Sequence, residues 1–223
     1  MLDFLKRLPI CKELSHEDVE RIAQLTTPQE YKKRRQVFLE GDPCTHLFFV
    51  QTGLIKIYRI DDKGREQILS FIPKGDLFPH TGLFFKETYP ANAEVLEDAV
   101  LLSFPLLSYQ KLMAEIPQLS VNVTKILGNK ILMLQRRVTE LTHKDAVQRT
   151  ISAFIHLAID HGKRNDNQVT LQLNVTNQEI ADMIGISRET VSRTLNQLKK
   201  MGKIDIRNGQ YIIYDIEDLK EIN

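Results

Sequence analysis

Between Thr176 and Gly202 the chain reads "TNQEIADMIGISRETVSRTLNQLKKMG", and this stretch restricts the possible folds more than any other. Thr176 with Glu179 three residues on is a capping box, in which a hydroxyl and a carboxylate satisfy the free N–H groups at a helix start. "GIS" at 185–187 then supplies a glycine turn and a serine cap for a second helix. Two helices joined by so short a turn form a helix-turn-helix. At about 100° per residue, Val191, Thr194, Leu195 and Leu198 share one side of the second helix. Arg188, Glu189, Ser192, Arg193 and Asn196 share the other, so one face packs and the opposite face is free.

The free face has the chemistry of a base-reading surface. Arginine can donate two bonds to guanine, and glutamate can accept one from the amino group of cytosine. These residues sit near the N-terminal end of the helix, the end that meets bases in a recognition helix. Around them Arg188, Arg193, Lys199, Lys200, Lys203 and Arg207 outnumber Glu189 and Asp205, an excess suited to phosphates, with Lys203 expected on the backbone. Downstream, "KIDIRNGQYIIYD" alternates apolar residues about Asn208-Gly209, a hairpin signal, so the motif ends in a β wing. A solvated helix face accounts for any one of these residues but not for cap, turn, core stripe, polar stripe and wing together.

The N-terminal half has another texture. From Gln36 to about Phe104 it consists of short β-branched and aromatic runs, "QVFLE", "HLFFVQTG", "LIKIYRID", "EQILSFI" and "AVLLSF". Turn signals fall between them, and Gly53, Gly64 and Gly75 recur at intervals of eleven, the strand-turn spacing of an antiparallel sandwich or jelly roll. Ahead of this, "SHEDVERIAQL" places Ser15 three residues before Asp18 and reads as a short capped helix.

After Pro117 the pattern is helical. Leu127, Ile131, Leu134, Val138 and Leu141 alternate by four and three, the seam of a coiled coil. Lys130, Gln135, Arg136, Arg137 and Glu140 keep the rest of the surface polar, which favours a dimer helix over a helix buried within one chain. Val123 and Ile126 lie on a neighbouring face that can pack on the β domain. From Lys144 an apolar helix "AVQRTISAFIHLAIDHG" ends at Gly162, and a polar loop "KRNDNQ" follows. The expected fold is α+β: an N-terminal antiparallel β-roll (jelly roll), a long dimerisation helix and a C-terminal winged helix-turn-helix. The boundaries are 1–116 for the β-roll domain, 117–143 for the dimerisation helix and 144–223 for the DNA-binding domain.

Other classes find little support. No run approaches the roughly 20 apolar residues that cross a bilayer, and "MLDFLKRLPICKEL" scatters charges where a signal peptide is apolar, so a cytoplasmic protein without a membrane partner is expected. A net charge of +1 argues neither for nor against nucleic acid. Nucleophile elbow, P-loop, dinucleotide fingerprint and HExxH are missing and the histidines are dispersed, so an enzyme is not expected. Cys11 and Cys44 are too few and too far apart for a zinc site within one chain, which leaves buried thiols or a redox pair.

At this point the residues resemble the Crp/Fnr transcription regulators, from about Leu14 to Ile216, with "ISRETVSRTLNQLKKMGKI" and above all "SRETVSR" carrying the likeness. The resemblance implies that 1–116 is an effector or sensor domain like those that bind cyclic nucleotides, and that the protein is a homodimer on a palindromic operator in double-stranded DNA, with RNA polymerase as a further partner. In the cyclic-AMP receptor branch, positions matching Arg188, Glu189 and Arg193 read a TGTGA-type half-site. In the Fnr branch, positions matching Glu189, Ser192 and Arg193 read TTGAT. Both sets are present, and Arg188 makes a TGTGA-like palindrome the first expectation.

The ligand segment departs from the family pattern. "KGDLFPHTGLFFKETYPANAEV" aligns with the phosphate-binding cassette of the cyclic-AMP receptors, but its glutamate, arginine and serine positions are His80, Pro90 and Ala91. Proline cannot pair an anion, and the guanidinium fork has no replacement nearby. The adenine-contacting threonine and serine correspond to Leu134 and Gln135. Cyclic nucleotide through the usual contacts is therefore not expected. An iron–sulfur cluster of the Fnr kind, which takes four cysteines, is excluded by two. Haem would need an axial ligand such as His80 or His46, although a lone histidine in a β domain is more often structural. No cofactor is assigned. The expected effector pocket comprises Phe78, His80, Thr81, Phe84, Leu134 and Gln135. "LFPHTGLF" is also similar to regulators of the arginine deiminase operon of Gram-positive bacteria, the ArcR type, which implies anaerobic control of arginine catabolism as an activator. The competing reading is a metabolite- or redox-sensing module, built on the His80 region or on Cys11 and Cys44, in which DNA contacts are secondary.

Overall fold

A computed structural model describes residues 1–80, 88–143, 145–165, 168–171, 175–207 and 210–222, and for 136–143 only the backbone. The chain divides into two compact units, residues 1–65 with 69–134 and residues 66–68 with 135–223.

The first unit opens with α1 (Leu2–Leu5), a 3-10 turn at Pro9–Cys11 and α2 (His16–Gln24). Ser15 caps α2 as its spacing predicts, its Oγ accepting from Asp18 N at 3.1 Å. An antiparallel sheet follows: β1 (Thr27–Tyr31), β2 (Gln36–Phe38), β3 (His46–Ile60), β4 (Glu66–Ile72), β5 (Leu77–Phe78) and β6 (Asn92–Pro105). Its order is β1-β6-β3-β4, with β2 also on β6 and β5 also on β3. The register of β3 on β6 runs from His46 opposite Pro105 to Tyr58 opposite Asn92.

Gly53 corrects one expectation. It does not end a strand: "HLFFVQTG" and "LIKIYRI" are one continuous β3, with register shifts on both sides of Thr52. Its φ is +90°, and a Cβ there would lie 2.6 Å from Ala99 Cβ on β6. The glycine therefore marks a bulge where two strands approach closely, and bulge and turn glycines look alike in sequence. Gly64 and Gly75 do lie in the turns expected of them.

The core of this unit includes Phe38, Phe48, Phe78 and Tyr89, with Phe38 stacked on Tyr89 at 3.7 Å between centroids. After α3 (Leu106–Glu115) comes the long helix α4 (Pro117–His143). Buried Asn122 pins its first turns by donating Nδ2 to the carbonyls of Ile10 at 3.0 Å and Lys12 at 2.6 Å. Val123 is buried and Ile126 packs against the same core. Of the seam, Leu127 also touches this core, whereas Ile131 is 56% and Leu134 59% exposed. The side chains of Val138 and Leu141 lie outside the described residues.

The second unit contains α5 (Ala146–His161), β7 (Gly162–Asn165), β8 (Gln168–Leu171), α6 (Asn177–Ile184), α7 (Arg188–Lys200), β9 (Ile204–Arg207), β10 (Gln210–Ile213) and α8 (Ile216–Glu221). Lys144, the expected first residue of the DNA-binding domain, is outside the described residues. The start of "KRNDNQ" is not a loop: Gly162–Asn165 pairs with β8, extending the wing into a sheet of order β7-β8-β10-β9. Polar side chains on an outer strand hide it from a hydrophobicity reading, because main-chain bonds form whatever the side chain. Phe154 of α5 meets Tyr211 of β10 edge to face at 4.9 Å, and Tyr211 donates its hydroxyl to Asn177 Oδ1 at 2.8 Å. Among the described residues no helix is long and apolar enough to cross a membrane.

Candidate nucleic-acid interface

The helix-turn-helix forms through the caps that its sequence specifies. Thr176 N donates to Glu179 Oε2 at 2.7 Å while Glu179 N donates to Thr176 Oγ1 at 3.2 Å. Gly185 ends α6 with φ 68° and ψ 41°, a left-handed conformation that costs glycine little. Two residues on, Ser187 Oγ accepts from Thr190 N at 3.3 Å and starts α7. A side chain with a Cβ at 185 would resist the turn that sets the angle between the helices.

On α7, Val191, Thr194, Leu195 and Leu198 are buried, and the Thr194 hydroxyl is satisfied by donating to Thr190 O at 2.9 Å. Arg188, Glu189, Arg193 and Asn196 are exposed and Ser192 is half-buried. Arg188 Nε lies 3.8 Å from Glu189 Oε1 with both side chains more than half exposed. Such a contact is weak, so the guanidinium can turn toward a base at little cost.

The surrounding cations are less available than their number suggests. Lys203 Nζ lies 2.8 Å from Asp218 Oδ2, a contact that raises the lysine pKa. Lys199 Nζ lies 3.1 Å and Arg207 Nε 3.2 Å from carboxylate oxygens of Asp205. Asp205 is held below the usual carboxylate range by the Ile206 N–H, then by Lys199 and Arg207. Arg193 and Lys200 are the cations of this group with no carboxylate in reach among the described residues. Lys203, the expected phosphate contact, is paired with Asp218, which α8 brings beside it. The signal for α8 was the cap of Asp215, whose Oδ1 accepts from Glu217 N at 2.8 Å. Asn208 and Gly209, the expected wing turn, lie outside the described residues, but β9 and β10 pair as the hairpin requires.

The described members of the expected effector set have different surroundings. Phe78 is a core residue instead, buried against Phe38 and Phe48 because β5 pairs with β3 at Phe48. Leu134 and Gln135 are exposed on α4, and Thr81 and Phe84 lie outside the described residues. Among the described members of the set, His80 alone sits against the apolar residues Ile10, Leu77, Val123, Ile126 and Leu127. Its imidazole pKa is lowered to about 4 by burial first and by Lys130 second, with Asp76 opposing. Lys130 and Asp76 themselves lie 3.5 Å apart.

His46 belongs to a local network: its ring Nδ1 is 2.9 Å from Thr45 Oγ1, and its carbonyl accepts from the Tyr89 hydroxyl at 3.1 Å. Both thiols are buried, and burial pushes Cys11 up to about 12 and raises Cys44. Among the described residues no three His, Cys, Asp or Glu side chains could hold a metal ion together.

Residues 28–115 match the cyclic nucleotide-binding domain and residues 148–222 the Crp-like helix-turn-helix domain. Electron transport regulator A of Shewanella oneidensis is 31% identical over 192 residues, covering 86% of this chain and 75% of that protein. Transcriptional activator protein anr of Pseudomonas aeruginosa is 28% identical over 214 residues, covering 95% and 87%. Among solved structures, FixK2 from Bradyrhizobium japonicum shares the fold with a TM-score of 0.78 at 22% identity, covering 89% of this chain and 97% of that one.

Proposed function

We propose a function for a chain that belongs to the Crp/Fnr family of transcription regulators: it binds, as a homodimer, a palindrome of two TGTGA-like half-sites. Its class is that of a DNA-binding transcription regulator and not of an enzyme. The observation that carries the finer reading is the outward face of α7, where Arg188, Glu189, Arg193 and Asn196 are exposed opposite a buried apolar stripe. The exposed Ile131 and Leu134 on α4 support the homodimer, because apolar side chains at seam spacing gain by burial against a second copy. Two recognition helices so joined enter successive major grooves about 34 Å apart.

Ser192, half-buried on the same helix, favours TTGAT as the second reading of the half-site. The regulon we propose is anaerobic and includes arginine catabolism, under transcriptional activation through RNA polymerase. The names of relatives, anaerobic regulatory protein of Pasteurella multocida and of Haemophilus influenzae among them, support the anaerobic part, and "LFPHTGLF" supports the arginine part. The redox-sensing alternative is weakened by the thiols, since a sensor cysteine works as an accessible thiolate and Cys11 is buried with its pKa near 12. Among the described residues, the metabolite-sensing alternative rests on His80 and the apolar side chains beside it.

The test is fluorescence anisotropy of a duplex carrying TGTGA and TCACA with centres one helical turn apart against a scrambled duplex, at two salt concentrations, with and without cyclic AMP. Preference for the palindrome without nucleotide supports the reading and agrees with His80, Pro90 and Ala91 replacing the phosphate-binding residues. Preference that requires cyclic AMP overturns the reading of the ligand segment. Preference for a TTGAT palindrome instead assigns specificity to Ser192.

A further inference from the structure

Asp205 lies where the recognition helix meets the wing, opposite Ile212 in the register of β9 on β10. Its Oδ1 accepts from Ile206 N at 2.8 Å and lies 3.1 Å from Nζ of Lys199, in the last turn of α7. Its Oδ2 lies 3.2 Å from Nε of Arg207, two residues on along β9 and hence on the same face. Arg207 is steadied further by donating Nη2 to the Tyr214 hydroxyl at 3.3 Å. One carboxylate therefore holds two cations from different elements. Its side chain is 27% exposed, against 48% for Asp218, whose contact is with the single lysine Lys203. A partly buried carboxylate with a main-chain donor and two cations is harder to displace than an exposed one with a single partner.

Such a carboxylate opposes DNA binding, since it repels phosphates and turns two cations inward. The two kinds of DNA feel this unequally. Binding to arbitrary sequence comes essentially from phosphate neutralisation, and it gains when long side chains can reach for whichever phosphate lies near. Asp205 bars Lys199 and Arg207 from that search. On an operator the base contacts of α7 set the position of the helix, and cations already oriented beside it gain little from release.

The geometry points to Asp205 as a specificity-determining residue, which contacts no base and raises discrimination by withholding Lys199 and Arg207 from the phosphates of unmatched DNA. It acts through those two cations and is a positioning residue. The assignment rests on the operator-binding reading above and names a residue that sharpens it.

The experiment titrates the full chain, with and without Asp205→Asn, onto TGTGA and TTGAT palindromes and a scrambled duplex by anisotropy over a range of salt. Asn keeps an acceptor for Ile206 N and removes the charge. Binding to the scrambled duplex is expected to rise about tenfold at low salt, with the log-affinity against log-salt slope steepened by roughly 0.9 for each cation freed, while the preferred palindrome gains less than about threefold. Asp205→Glu should restore the discrimination of the parent. With Lys199→Gln and Arg207→Gln also in place, most of the gain from Asp205→Asn should disappear. A gain that persists there overturns the inference, because the carboxylate then repels DNA directly. Equal strengthening on palindrome and scrambled duplex overturns it too, and so does weaker binding to both.

A second measurement does not depend on the folding of Asp205→Asn. In the presence of Asp205, the pair Lys199→Gln and Arg207→Gln should weaken binding to the scrambled duplex by less than about threefold, as expected of cations that neutralise few phosphates. A larger loss overturns the inference. A parent that prefers neither palindrome refutes the operator reading, and the scrambled duplex alone then decides whether Asp205 withholds the two cations.

Discussion

Lys203 Nζ and Asp218 Oδ2 lie 2.8 Å apart, joining the start of the wing to α8 through a contact of partly exposed side chains. A lysine held by a carboxylate offers a phosphate less than its formal charge, since binding must first break the pair. Lys203→Ala is therefore expected to weaken DNA binding by less than threefold at all sequences, and Asp218→Asn to strengthen it by freeing the lysine. Anisotropy on operator and scrambled duplexes reads both, and a large loss from Lys203→Ala would show that the pair opens on DNA.

Arg188 has the opposite character, since its neighbour Glu189 stands 3.8 Å away and both are exposed. Arg188→Ala should reduce discrimination between matched and mismatched half-sites by about 1–3 kcal/mol, the range for a bidentate arginine on guanine. Lys200→Ala should weaken every duplex alike. A panel of single-base operator variants distinguishes the two, and equal flattening by both substitutions would remove Arg188 from the reading face.

Ile131→Glu and Leu134→Glu test the seam on α4. Burial of one such side chain is worth about 1.5–3 kcal/mol, and a twofold dimer buries each twice, so the dimer dissociation constant should rise by roughly 100-fold or more. Sedimentation equilibrium measures this directly, and loss of palindrome affinity should accompany it. A dimer of unchanged strength places the interface elsewhere.

Gly53→Ala should cost about 3 kcal/mol or more, because the new Cβ is forced 2.6 Å from Ala99 Cβ in a conformation with φ +90°. Gly64→Ala, with φ +75° and open space around it, should cost only about 1 kcal/mol. Urea unfolding of the two variants compares them, and similar midpoints would mean that the bulge yields.

His80 gives a pH dependence whose sign is determined. Its pKa is lowered from 6.5 to about 4 in the folded chain, with Lys130 disfavouring and Asp76 favouring the charged form. Between those values the unfolded chain takes up a proton that the folded chain refuses, so stability present above pH 6.5 is lost as the pH falls toward 4. The contribution is about 3 kcal/mol. His80→Gln should flatten the dependence of the urea midpoint over this window relative to the parent, whose carboxylates add an acid dependence common to both.

The helix-turn-helix was legible in the sequence because caps are local: Thr176 and Glu179, Gly185, and Ser187 act within three or four residues of chain. The seam spacing on α4 and the hairpin of β9 and β10 follow from equally short-range periodicities. The core position of Phe78, the pairing of β7 with β8, the bulge at Gly53 and the capture of Lys203 were not legible in this way. The β7–β8 pairing is local, with Arg164 opposite Val169, and was hidden by polar side chains; the other three depend on residues distant in the chain, Phe48, Ala99 and Asp218 respectively. Asp98 likewise holds the turn between β1 and β2, accepting from Lys33 N at 65 residues' separation. The sequence by itself determined which helices form and which of their faces are apolar, because backbone capping and 3.6-residue periodicity are settled among near neighbours. Tertiary structure alone decided which charges remain free and which glycine is a bulge, because ion pairing and close approach depend on distances in space that sequence separation does not encode.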